Sequence, residues 1–164
     1  HQEMTDLRHA KVAGIRVPDQ QVELGGAAGK LAVVGWGSTF GPIHQAVRRA
    51  RRRGQDVAHI HIRNIWPMPG NLGALLGGYE QILVPEMNTG QLKTLLRDQF
   101  LVDAKPLNKV SGQPFRIVEI EEAIDAALAG APIDHVRPDT MQLPEPVSGH
   151  DDGHNRGATS PQSA

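Results

Sequence analysis

Two loops rich in glycine and polar residues, a pair of alternating histidines and a run of arginines are the parts of this 164-residue sequence whose types and spacing could do chemistry. The first loop is Gly35-Trp-Gly37-Ser38-Thr39-Phe-Gly41. It follows a short apolar run and opens a helical pattern. In that place, backbone N–H groups at a helix N-terminus can meet a pyrophosphate. The dinucleotide spacing is not met, because Phe40 stands three after Gly37 and the next glycine comes one later. The following apolar run also ends in Arg63 and Asn64, where a ribose would need a carboxylate. A tight strand-to-helix turn built of small residues is the plainer reading.

The second loop is Pro85-Glu86-Met-Asn88-Thr-Gly90-Gln91. It closes another apolar run, at the strand end where α/β sheets carry their working loops. A carboxylate, an amide and a glycine there could bind a ligand or cap the next helix. No second carboxylate or nucleophile lies near Glu86 in the sequence, so an acid–base pair cannot be built around it. Polar positioning or an interface role is what is left.

His59 and His61 alternate along a strand pattern, which points both rings to one face. A metal site needs a third ligand, and none is spaced to suggest itself, so packed or interfacial imidazoles are expected. The arginines at 48, 49, 51, 52 and 53 end a helical pattern. Cations suit a helix C-terminus, and a solvated face is the bland explanation. Contact with a partner subunit stays open. His150, Asp151, Asp152 and His154 could bind a metal weakly in a polar tail, where the cluster reads as incidental.

The elements that would position these groups follow from periodicity. Leu31-Ala-Val-Val-Gly35, 57–62 and 81–84 are apolar runs of buried strands. Ile43, Ala46, Val47 and Ala50 mark one helical face after Pro42, and Gly54 stops that helix. Asn71 is placed to cap a short helix carrying Leu72, Leu75 and Leu76. Leu92, Leu95 and Leu96 mark another, and 101–104 with 107–110 read as one or two short strands. Residues 117–129 form the last helix, with Glu119, Glu121 and Glu122 early and Gly130 after it. Near the start, Met4, Leu7 and Ala10 make a weak helical face, with Thr5 or Asp6 as its cap. Residues 18–29 read as an irregular connection. The alternation predicts an α/β fold: three layers, a mostly parallel sheet of about five strands, and helices on both faces. From about Pro138 the chain has too little apolar surface to offset ordering, and disorder is expected there.

Composition excludes several function classes. There is no cysteine, which removes a disulfide scaffold, a thiolate zinc site, a catalytic thiol and an iron–sulfur cluster ligated from this chain. It also fits a reducing, cytoplasmic compartment. With 17 Lys+Arg against 18 Asp+Glu and 4% aromatics, neither phosphate-backbone binding nor base stacking has support, so no nucleic acid partner is expected. No stretch approaches the roughly 20 apolar residues of a membrane span, and no membrane partner is expected. A start at His1 suggests a piece of a longer chain.

Several motifs in order say more than each alone: Arg8-x-x-Lys11, Val33-Val-Gly-Trp-Gly-Ser-Thr39, His61-Ile-Arg-Asn-Ile-Trp-Pro67-Met-Pro69, Val84-Pro-Glu-Met-Asn-Thr-Gly-Gln-Leu92, Gly112-Gln-Pro-Phe115 and Glu119-Ile120. Over about residues 1–130 this series resembles the C-terminal, transketolase-C-like domain of the alpha subunit of 2-oxoacid:ferredoxin oxidoreductases, in their 2-oxoglutarate branch. The resemblance implies a parent complex of alpha and beta subunits with thiamine diphosphate, Mg²⁺ and an iron–sulfur cluster. That complex decarboxylates 2-oxoglutarate oxidatively to succinyl-CoA and passes electrons to a ferredoxin-like acceptor. It implies further that this domain packs against upstream domains of the same alpha chain and the beta subunit, and is structural. No catalytic, cofactor or metal residue carries over, and no cofactor is expected on this fragment alone. Gly37, Ser38, Thr39, Glu86, Asn88, Gly90 and Gln91 are the expected interface-loop residues. The implied division is a helical connection over 1–29, the α/β domain over 30–130 and an extension over 131–164. Three alternatives stay open: the C-terminal domain of another, pyruvate-type thiamine enzyme, an independent nucleotide-binding domain, and a dimerisation module.

Overall fold

The computed structural model describes residues 2–133. Strands β2 (Gly29–Trp36), β3 (Val57–Ile62), β4 (Tyr79–Glu86) and β5 (Ala104–Asn108) are parallel, and β1 (Val22–Leu24) runs antiparallel beside β3. The sheet order is β1-β3-β2-β4-β5. The apolar runs are continuous because both faces of the sheet are covered. On one face Leu31, Val33, Val57 and Leu83 pack under helices α2 (Phe40–Arg52) and α5 (Ile117–Leu128). On the other, Ala32, Val34, Ile60, Ile62 and Val84 pack under α3 (Leu72–Leu76) and α4 (Gln91–Phe100). Alternate residues of one strand thus feed two cores, as the two-residue strand period requires. The expected three-layer α/β architecture is the one observed.

Local differences have physical reasons. The segment read as an irregular connection carries β1, and Gln20 just before it is tied down. The Gln20 N–H donates to Asn71 Oδ1 at 2.7 Å, and its side-chain amide donates to the His61 carbonyl at 3.0 Å. Asn71 therefore stands at the N-cap of α3 without a side-chain bond to the helix; its amide donates instead to the Gln20 carbonyl at 3.0 Å. A bond between residues 51 apart outcompeted the local cap. The two short apolar runs after α4 give one strand, β5, with Pro106 inside it; an edge strand tolerates the missing N–H. β4 runs two residues beyond Val84, placing Pro85 opposite Leu107 and Glu86 opposite Asn108.

Helix α1 (Gln2–Ala13) begins ahead of Thr5 and Asp6, so neither is its N-cap, and its Met4 and Leu7 are exposed. Among the described residues no helix is long and apolar enough to cross a membrane. The expected disorder from Pro138 and the cluster of His150, Asp151, Asp152 and His154 lie outside the described residues.

Candidate functional site

The sheet reverses its winding between β2 and β4. From β2 the chain crosses to β3 through α2 on one face; from β4 it crosses to β5 through α4 on the other. The two outgoing loops separate there, and ligands of open α/β sheets sit in the crevice outside such strand ends. The β2–β4 pairs run from Gly29 opposite Tyr79 to Val33 opposite Leu83, short of the ends at Trp36 and Glu86. A cleft of about 610 Å³ opens beyond them, lined by Trp36, Gly37, His61, Arg63, Gln91 and Leu95 among others. Ile62, Ile65 and Leu92 complete its apolar part.

Both loops singled out in the sequence reach this cleft: Trp36 and Gly37 from the first and Gln91 from the second. Ser38 is exposed beside Gly37. Thr39 is buried, and its hydroxyl holds the turn. It accepts from the Trp36 N–H at 3.1 Å and donates to the Trp36 carbonyl at 2.8 Å. Gly37 takes φ +58°, a left-handed conformation that favours glycine. Residues 37–39 form one 3₁₀ turn leading directly into α2. This is the tight turn of small residues expected from the sequence.

Glu86 is fully buried, and its carboxylate faces inward. It accepts from the N–H groups of Leu92 at 2.7 Å and Lys93 at 3.0 Å, and from the Asn88 side-chain amide at 3.2 Å. Asn88 Oδ1 in turn accepts from the N–H groups of Gly90 and Gln91, at 2.7 and 3.0 Å. Two side chains thus satisfy four amides at the head of α4. The carboxylate also lies at the positive end of the helix dipole. A ligand anion finds no open amides among these four. Gly90, the N-cap, is buried with φ +97°.

His59 and His61 do share a face, and both are buried. The structure adds two neighbours that the sequence did not flag, Phe40 and His44 from the start of α2. The four rings form one connected group, with centroids 5.1–5.9 Å apart in five pairs. The spacing of four between Phe40 and His44, one turn apart on α2, is the only sign of them in the sequence. Burial, then the neighbouring His61, His44 and Arg63, push His59 down to about 3. Burial and Arg63 also lower His61, against a smaller opposite pull from Glu23. Among the described residues no group of three or more His, Asp or Glu could hold a metal ion.

The arginine run is mostly engaged at home. Arg49 and Arg53 bridge to Glu121 at 3.3 and 3.0 Å, Arg53 also meets Asp125 at 3.4 Å, and Arg51 donates to the Val57 carbonyl at 3.0 Å. The run fastens α2 to α5 and β3.

The profile of pyruvate:ferredoxin oxidoreductase core domain II matches residues 27–123, from the strand before the first loop through most of α5. The chain belongs to this family. Over 130 residues it is 48% identical to the 2-oxoglutarate oxidoreductase subunit KorA of Mycobacterium tuberculosis, covering 79% of this chain and 20% of that protein. Over 128 residues it is 32% identical to subunit alpha of the 2-oxoacid:ferredoxin oxidoreductase 2 of Aeropyrum pernix, covering 74% of this chain and 20% of that one. The chain therefore spans only 20% of the length of either relative. A solved 2-oxoglutarate:ferredoxin oxidoreductase from Magnetococcus marinus, with 2-oxoglutarate, coenzyme A and succinyl-CoA bound, superimposes with a TM-score of 0.66. It shares 23% identity, over 76% of this chain and 22% of that one, and the likeness supports the core domain II fold. Family membership and this fold agree with the order of motifs read from the sequence.

Proposed function

We propose that this chain is a non-catalytic part of the alpha subunit of a cytoplasmic 2-oxoglutarate oxidoreductase. The parent complex would convert 2-oxoglutarate and CoA to succinyl-CoA and CO₂, passing two electrons to a ferredoxin-like acceptor. The observation that carries this reading is the 48% identity over 130 residues to a 2-oxoglutarate oxidoreductase subunit. A helical connection over 1–29, with β1 hydrogen-bonded into the sheet, precedes the domain proper at 30–130; an extension follows over 131–164.

Thiamine diphosphate with Mg²⁺ supplies the carbanion chemistry in such a complex, and iron–sulfur clusters carry the electrons. The described residues do not fit either group. The chain has no cysteine, the described residues offer no metal-holding cluster, and the α4 amides are already satisfied by Glu86 and Asn88. No chemical step is therefore assigned to its side chains.

Its task on this reading is to present the cleft to the neighbouring domains and the beta subunit. Gly37, Ser38 and Gln91 lie on the contact surface; Thr39, Glu86, Asn88 and Gly90 hold the two loops in shape. Reconstitution tests this. The 164-residue chain, supplied with thiamine diphosphate and CoA, should release no CO₂ from 2-oxoglutarate. Joined to the upstream part of the alpha subunit and its beta subunit, it should support CoA-dependent release. Turnover by the chain alone defeats the structural role, and a preference for pyruvate in the assembly defeats the substrate assignment. Ser38→Trp and Gln91→Trp, both at exposed positions, should weaken assembly about 10-fold or more while leaving the urea midpoint unchanged.

A further inference from the structure

Phe40 and three imidazoles pack together beneath the first turns of α2, and their buried ring nitrogens have no partners. The Phe40 ring stacks on His44 at 5.3 Å, lies tilted over His59 at 5.2 Å and meets His61 edge-on at 5.1 Å. His59 also touches His44 at 5.6 Å and His61 at 5.9 Å. Nδ1 of His44, both nitrogens of His59 and Nδ1 of His61 are buried without a hydrogen bond. A neutral imidazole brings one N–H and one lone pair. The group holds together by ring packing, and a proton added to it would be a buried, unmatched charge.

The surroundings make that charge less welcome still. α2 contributes His44, β3 contributes His61, and the end of β3 contributes Arg63. β2 packs beside the group through Gly35, where an added Cβ would lie 3.6 Å from His61 Nδ1. β1 supplies a carboxylate, Glu23, and it is already paired with Arg63 at 2.6 Å. We propose that this group is an acid-sensitive latch: protonation of His59 and His61 releases Phe40 and His44 from the sheet and frees the Gly37–Thr39 turn beside the cleft. The latch does not depend on the enzyme assignment, because it follows from packing within the chain.

The sign follows from linkage. His59 is held near 3 in the folded chain, against about 6.5 when free. The open form therefore binds the proton first. The latch is fully closed above about 6.5 and weakens as pH falls from there toward 3. For His59 alone, the opening equilibrium constant is about 30-fold larger at pH 5 than at pH 7.5.

Amide hydrogen exchange on the 164-residue chain, expressed as protection factors, tests the latch. Protection of residues 39–44 should fall about 10-fold or more between pH 7.5 and pH 5, with a much smaller change at 82–84 in β4. His59→Leu keeps apolar bulk and removes both orphaned nitrogens, so it should abolish most of that acid response. If His59→Leu does not fold, His61→Leu, which removes the other lowered imidazole, carries the same test with a smaller flattening. A uniform loss of protection across the sheet overturns the latch. So does an acid response in the folded variant equal to that of the unaltered chain.

Discussion

Removing the Glu86 carboxylate would leave the Leu92 and Lys93 N–H groups without acceptors at the head of α4. Glu86→Ala should therefore cost about 3 kcal/mol, read as a lower urea midpoint at unchanged slope. Glu86→Gln should recover only part of it, because an amide turns a donor toward donors. The Lys109–Glu119 pair makes a second test. Lys109 Nζ donates to both Glu119 oxygens, at 3.0 and 2.9 Å, and both side chains are buried. Lys109→Met should cost about 3 kcal/mol, because it leaves the buried carboxylate with only its Arg116 partners; Lys109→Met with Glu119→Leu should regain much of that loss. Burial by itself raises the Glu119 carboxyl, but hydrogen bonds from Lys109 and Arg116 outweigh it and hold the group below its usual range. Its contribution to stability is thus present above about 4.5 and lost as pH falls through the folded value. Acid titration of Lys109→Met should show a smaller loss on that side. The residue types in both loops were legible from spacing. Their roles were not, because whether Glu86 faces a ligand or its own helix depends on where the next five residues turn.

Elements with strong periodicity read well. The run Ile43, Ala46, Val47 and Ala50 gave α2, and all four are fully buried. Weak or short elements did not. β1 has three residues and no alternation to detect; it exists because β3 offers an open edge. Asn71 looked like a cap, yet a distant backbone took its side chain. The packing of α2 on β2 gives a test at this scale. A Cβ on Gly35 would lie 2.3 Å from Ile43 Cδ1 and 2.7 Å from the Thr39 hydroxyl that fastens the turn. Gly35→Ala should cost about 1–3 kcal/mol by overpacking, and should disturb residues 36–39 in an amide spectrum more than β5.

For the molecule as a whole, chain order by itself carried the architecture. Continuous apolar strands alternating with amphipathic helices leave few ways to cover both faces of a sheet. The same order of motifs carried the family, and the absence of cysteine moved any thiolate-ligated electron relay off this chain. Only three-dimensional packing could create the cleft, because Gly37 and Gln91, fifty-four positions apart, line one opening where the strand order reverses. The imidazole group arose the same way. His59 and His61 share a face by strand period alone, but His44 and Phe40 join them only because α2 folds back over β3. Local pattern fixes which way a side chain points along its own element. What it meets is set by another element's approach, and that depends on the core as a whole.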